Sequence, residues 1–302
     1  MKNIFFQMKQ ENNFVQSDKT LIEKHLKTIT KTNEYRNFKN IATLNQTADY
    51  ILSVFKQYAD TAYFQPYKFE NEMYKNVICR LGSNNDKPLV VVGAHYDVCG
   101  DQEGADDNAS GVVGLLELVR ILSKEKLNFP VEIVAYNTEE LYLCTKNAGS
   151  YIHAKSLFDA KISVYGMVCF EMIGYFDDNP KSQLYPIKLL KNFYGSKGNY
   201  ILLASKTNAG NFVKNFSNGF KKSAKIKTKK FKAPPSLVRK SGIGRSDHYN
   251  YWKFDYDALM ITDTAEYRNP NYHKNSDVME TLDIPKMMGV IEATASAIIG
   301  LK

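Results

Sequence analysis

Cysteine is scarce in this chain, and its spacing excludes several chemistries. Of 302 residues only Cys79, Cys99, Cys144 and Cys169 are cysteines, and no two stand close enough for a CxxC motif. Cys79 and Cys169 fall inside apolar, strand-like runs, where a thiol packs as a small hydrophobe. Cys99 and Cys144 follow two strand ends. A disulfide between them is conceivable, but the expectation is two reduced thiols at the rim of a site. Long apolar runs are missing too. No stretch reaches the roughly 18 residues needed to span a bilayer, so no integral membrane association is expected. The amino-terminal burst Ile4-Phe5-Phe6 falls short of the roughly 7–15 apolar residues of a secretory leader. That absence reads as a cytoplasmic chain, or as an exported one if a leader has been removed. The net charge of +8 comes mainly from lysine, and lysine runs are usually solvated faces. No nucleic-acid motif accompanies them, so no nucleic-acid partner is expected. There is no internal repeat and no linker long enough to separate domains. The oligomeric state is not legible.

What is present is an alternation of apolar strands and amphipathic helices. The 44% apolar share is ordinary for a globular protein. Residues 1–40 read as a polar segment followed by a helix with Leu21, Ile22, His25 and Leu26 on its apolar face. Residues 41–302 read as the main domain of one domain overall. A helix over 44–58 precedes two extended segments, 62–69 and 75–81, that form a hairpin at a sheet edge. Strands follow at 89–94, 131–136, 164–170, 200–205 and 258–262, with helices at 111–125, 148–157, 211–222 and 285–299. The lysine-rich stretch 225–232 reads as a solvated edge strand. Residues 177–198 are turn-rich and read as a surface insertion or a lid. The fold class is α/β: a three-layer sandwich, its central twisted sheet mostly parallel, with helices on both faces.

The chemistry gathers where those strands end. The run 91–111 begins as a buried strand and then carries His95, Asp97, Asp106 and Asp107. Later strands end at Glu139-Glu140, at Glu171 and, after a short loop, at His273. In an open parallel sheet these ends share one edge, where ligands bind. Two imidazoles and at least three carboxylates exceed the needs of one tetrahedral metal with an open position. They suit two ions about 3.5–4 Å apart with one carboxylate between them. Asp106, central in the set, is the expected bridge. One member of the Glu139-Glu140 pair can bind metal while the other acts as a base. Asp97, two residues beyond His95 on an extended chain, is placed to hold the second imidazole nitrogen.

These residues carry a resemblance. The motifs are G-A-H-Y-D (93–97), G-A-D-D-N-A-S-G (104–111), E-E (139–140), G-S-Y-I-H-A-K (149–155), F-E-M-I-G-Y (170–175), S-D-H (246–248) and D-T-A-E-Y-R-N-P-N-Y-H-K-N-S-D (263–277). Together, over roughly residues 40–300, they resemble the co-catalytic zinc exopeptidases of the bacterial leucyl-aminopeptidase type, whose relatives include glutamate carboxypeptidase and glutaminyl cyclase. Any single motif would be weak; the ordered set is specific. The resemblance implies two zinc ions per chain, one on His95, Asp106 and Glu171 and the other on Asp106, Glu140 and His273. It implies Glu139 as general base and acid, a cis peptide between Asp106 and Asp107, and a peptide as substrate.

Two departures stand out. Glu171 occupies a position where aspartate is more usual, which leaves the choice between amino- and carboxy-terminal attack open. Residues 141–148 match no familiar specificity pocket. Asp107, His248, Tyr267 and Arg268 are expected around the metals or the substrate, although the Ser246-Asp247 pair is equally compatible with a helix cap. His153 reads as surface or packing. The function expected is a two-zinc aminopeptidase. The alternatives are a one-zinc enzyme like glutaminyl cyclase and an inactive binding protein on the same scaffold.

Overall fold

The structure is a computed structural model describing residues 16–82, 86–238 and 240–302; the remainder of the expected amino-terminal polar segment lies outside the described residues. Among the described residues eight strands form one sheet: β1 Thr61–Phe69, β2 Glu72–Leu81, β3 Leu89–His95, β4 Val131–Tyr136, β5 Val164–Glu171, β6 Ile201–Lys206, β7 Thr228–Ala233 and β8 Ala258–Thr262. Their spatial order is β1-β2-β4-β3-β5-β8-β6-β7. The four central strands β4, β3, β5 and β8 are parallel neighbours, so their carboxyl ends lie on one edge. The β1–β2 hairpin is antiparallel, β2 runs antiparallel to β4, and β6 runs antiparallel to β8.

The central strands are buried on both faces because alternate residues serve two different cores. From β3, Val90, Val92 and Ala94 pack into one cluster, while Leu89 and Val91 pack into the other. The first cluster is covered by helices α1 Lys19–Thr30, α2 Ile41–Tyr58, α3 Gly111–Leu122, α7 Asn211–Ser223 and α9 Ile284–Ile299. The second lies under α5 Gly149–Asp159 and α8 His248–Trp252. Two further α-helices, α4 Glu139–Tyr142 and α6 Leu190–Tyr194, are short. Local signals explain where the helices begin. Asp18 accepts from the backbone N–H groups of Thr20 and Leu21 at the start of α1. Asp283 does the same for Lys286 in α9, with proline in the first turn. All twelve residues of α3 are buried, including Glu117 and Arg120, which satisfy each other at 2.6 and 2.9 Å. The lysine-rich strand β7 is the sheet edge opposite β1. No described helix is long and apolar enough to cross a membrane.

His153 is more than a packing residue. It is buried between Glu132 Oε1, 2.9 Å from its Nε2, and the Tyr251 hydroxyl at its Nδ1. Burial pushes the Glu132 carboxyl up, but His153 and Arg80 outweigh it and hold the net pKa below the usual value. A carboxyl lowered in this way stabilises the fold fully above its unfolded pKa. That contribution is lost as pH falls through the lowered folded value. The His153→Phe variant is expected to lose about 1–3 kcal/mol at neutral pH, the cost of a buried, partly unsatisfied acceptor. It should also show a shallower acid-side decline. Urea unfolding across a pH series measures both; an unchanged midpoint would contradict the assignment.

Candidate metal centre

The carboxyl ends of β4, β3, β5 and β8 each deliver a functional group, and the backbone turns sharply as it does so. Thr138 (φ 61°) immediately precedes Glu139, Met172 (φ 52°) follows Glu171, and Thr264 (φ 92°) follows the end of β8. His273 itself sits at φ 56°. Left-handed, non-glycine residues are uncommon, and these four of the eleven among the described residues stand where the chain turns to present the site.

The side chains converge. Asp107 presents one carboxylate oxygen to each imidazole: Oδ1 lies 3.4 Å from His95 Nε2 and Oδ2 lies 3.1 Å from His273 Nε2. Glu171 Oε2 is 3.5 Å from His95 Nε2, and Glu140 Oε2 is 3.5 Å from His273 Nε2. Two donor groups follow, His95 with Asp107 and Glu140, and His95 with Glu139 and Glu171, each with its ligand atoms within 4.8 Å of one another.

The central carboxylate is therefore Asp107, which corrects the expectation for Asp106. Asp106 is fully buried, and its carboxylate faces away from the imidazoles. Its Oδ1 accepts from the Gly174 N–H at 2.9 Å and its Oδ2 from Asn269 Nδ2 at 2.7 Å. The cis peptide is likewise one residue later than expected, between Asp107 and Asn108. Asp277 sets this register. Its two carboxylate oxygens accept from the N–H groups of Asp106 and Asp107 at 2.9 and 3.0 Å. Gly104 is required at the start of the same turn. Its φ is 55°, and a Cβ there would lie 2.3 Å from the Asp107 carbonyl oxygen.

Other supports are visible only in three dimensions. Asp97 accepts from the backbone N–H groups of Glu139 (3.2 Å) and Glu140 (3.0 Å), so it caps the short α4 that carries them. His95 Nδ1 lies closer to the Asp97 carbonyl, at 3.1 Å, than to its carboxylate, at 3.5 Å. The backbone oxygen thus orients the ring more than the expected side chain does. Ser246 donates to Glu171 Oε2 at 2.6 Å, which is its role in place of a helix cap. Arg36, from the segment before α2, is fully buried. It donates to the carbonyls of Tyr96 (2.9 Å), Gly104 (2.5 Å) and Glu103. It thereby straps the loop between His95 and Asp107.

Electrostatics show what the cluster needs. Burial and the neighbouring carboxylates raise Glu139 well above the usual range, although His95 opposes them. Burial and Asp107 raise Glu140 to about 8. Burial would push Asp107 up and His273 down. Instead the two imidazoles hold Asp107 low, and Asp107 with Glu140 lifts His273 to about 10. So many carboxylates in one buried place call for cations beyond the imidazoles, and Glu140 Oε1 has no hydrogen-bond partner. Hard oxygen and imidazole donors facing one another fit a divalent metal such as zinc.

The remaining predicted residues divide. Tyr267 lines a cavity beside the centre. Arg268 is 5% exposed and braces that cavity from behind. Its Nε donates to Gln183 Oε1 at 2.9 Å, and its guanidinium lies 4.6 Å from the Tyr200 ring centre. His248 does not itself line the cavity; it stands behind Ile243, which does. It is buried against Trp252, and its Nε2 donates to the Ile243 carbonyl at 2.6 Å. The four cysteines are free of disulfides. The cavity, together with the open solvent at its mouth, spans about 780 Å³. Glu171 and Tyr272 stand at one side, and Tyr185, Tyr194, Tyr200, Leu202, Phe231 and Met260 form much of its wall. The insertion 177–198 contributes Gln183 to Pro186, Leu190 and Tyr194, so it is a wall of the site.

A three-layer α/β sheet with imidazoles and carboxylates gathered at its carboxyl edge fits a metal-dependent enzyme. The sequence pattern of peptidase family M28 matches residues 76–298, and the chain belongs to that family of zinc-dependent peptidases. It is 36% identical to the uncharacterized protein YfbL of Escherichia coli K12, over 93% of this chain and 88% of that protein. It is 26% identical to a probable leucine aminopeptidase of Arthroderma otae, over 73% of this chain and only 55% of the fungal protein. Among solved structures, Legionella pneumophila LapA aminopeptidase superposes with a TM-score of 0.73 at 21% identity, over 100% of this chain and 79% of that one. Glutaminyl cyclase of Tannerella forsythia gives 0.65 at 17% identity, over 95% and 100%. These two likenesses speak to the fold.

Proposed function

We propose that the chain is a two-zinc aminopeptidase that removes amino-terminal residues bearing bulky apolar side chains. One observation carries the reading: Asp107 offers one oxygen toward each of two imidazoles, and each imidazole has a further carboxylate beside it. His95 and Glu171 would hold one ion, Glu140 and His273 the other, with Asp107 shared. Bound zinc supplies a Lewis acid for the scissile carbonyl and acidifies the attacking water. Glu139 is the base. It is buried near His95 and Glu171, and it takes the water proton and returns it to the leaving amine. Asp97 holds Glu139 in place through the backbone. The carboxylates around the centre, Glu171 among them, accept the substrate's free amino group. The aromatic cavity opening beside Glu171 takes the side chain of the residue to be released.

The rival is a one-zinc cyclase of the same fold. The double set of donors around Asp107 favours the hydrolase. The test is a panel of aminoacyl and carboxy-terminal peptide substrates with added zinc, including an amino-terminal glutaminyl peptide. Leucyl, phenylalanyl and tyrosyl substrates are expected to be hydrolysed with kcat/KM values well above alanyl or glutamyl ones. Cyclisation of the glutaminyl peptide, or release from the carboxyl end alone, would refute the reading.

A further inference from the structure

We propose that Cys99 is a ligand of the ion held by Glu140 and His273, making that half of the centre a mixed thiolate, carboxylate and imidazole site. The proposal rests on the two-metal reading above and adds a donor to it. Cys99 Sγ, a Glu140 carboxylate oxygen and a His273 ring nitrogen all lie within 4.8 Å of one another. Donors about 2.0–2.3 Å from a tetrahedral zinc are roughly 3.5 Å apart. The three atoms therefore need to close by little more than about 1 Å to share one ion.

Two independent features support a built site. Glu140 Oε1 is buried without a hydrogen-bond partner, so the carboxylate next to the thiol has unused ligand capacity. The backbone on both sides of Cys99 is also fixed. The Val98 N–H donates to the Arg36 carbonyl at 3.1 Å, and Asn37 Nδ2 donates to the Gly100 carbonyl at 2.7 Å. The thiol is thus held at the rim by the strap from the segment before α2. The other cysteines lie elsewhere. Cys79 and Cys169 are buried within strands β2 and β5, and Cys144 Sγ contacts the Gly244 carbonyl at 3.2 Å. On metal binding the Cys99 proton leaves to solvent, and the sulfur lone pair forms the new bond. A thiolate donor biases this half of the centre toward zinc or cobalt over magnesium or manganese.

The experiment loads the metal-free full-length protein with cobalt(II) and records its absorption. Wild type should show visible d–d bands together with a near-ultraviolet sulfur-to-cobalt charge-transfer band. Cys99→Ser should lose the charge-transfer band and keep d–d absorption, whereas Cys144→Ser should keep both. Wild-type d–d bands without charge transfer would overturn the thiolate and leave the metal centre standing. So would a charge-transfer band that survives Cys99→Ser. Absence of any cobalt absorption would overturn both. Should Cys99→Ser fail to fold, alkylation of the wild type decides. Metal should protect Cys99 from iodoacetamide, read by mass spectrometry, and equal labelling with and without metal would contradict the proposal.

Discussion

Asp107→Asn is expected to lose bound zinc and to lower kcat/KM by a factor on the order of 10³ or more. A metal pair supplies several kcal/mol of charge stabilisation in the transition state, and each ~1.4 kcal/mol is tenfold in rate. The residue is singled out because its two oxygens lie 3.4 and 3.1 Å from the two imidazoles, one oxygen to each. Its neighbour is the control. Asp106→Asn alters a carboxylate that already accepts from Gly174 and Asn269. It is expected to cost about 1–3 kcal/mol of stability, because a buried polar contact is disturbed, while the folded fraction keeps its metal. Metal analysis, kinetics and thermal unfolding on both variants separate the two roles. If Asp106→Asn lost zinc and Asp107→Asn retained it, the assignment would be reversed.

Glu139→Gln is expected to fold, keep its metal and lose turnover by about 10²–10⁴-fold, the usual size of a general-base contribution. Glutamine preserves shape, and the Asp97 bonds that position residues 139 and 140 go to their backbone N–H groups, which the substitution does not touch. Glu140→Gln is expected to weaken one ion, with partial rescue by excess zinc, because its oxygen faces His273. Steady-state kinetics with metal analysis of the same samples tests the pair. Loss of zinc from Glu139→Gln would make that residue a ligand.

The fold was readable because strands such as β3 and β4 are short, buried and mostly apolar and alternate with helices at α/β spacing. The convergence of His95, Glu140, Glu171 and His273 was readable for the same reason, since parallel strands place their ends on one edge. The lysine-rich edge strand was legible from its chemistry. What was not legible is local geometry set from a distance. Two adjacent aspartates are equivalent in any pattern. Which one faces the imidazoles depends on Asp277, 170 residues from Asp107. Arg36 gave no signal because its partners are backbone carbonyls, which no residue pattern encodes. The motif that carries His248 did not show how its members divide: Ser246 reaches Glu171, whereas His248 reaches the cavity wall only through the Ile243 carbonyl. The aromatic cavity was hidden because its wall is assembled from the turn-rich insertion, four strands and the loops around Ile243 and Tyr267.

The central claim is a two-metal centre bridged by Asp107, and the most direct measurement is the zinc content of the folded protein after loading and removal of excess metal. Two zinc ions per chain in the wild type, falling in Asp107→Asn, is the predicted result. One ion per chain would point to the cyclase-like arrangement, and none would leave a binding protein on this scaffold; either outcome would contradict the account.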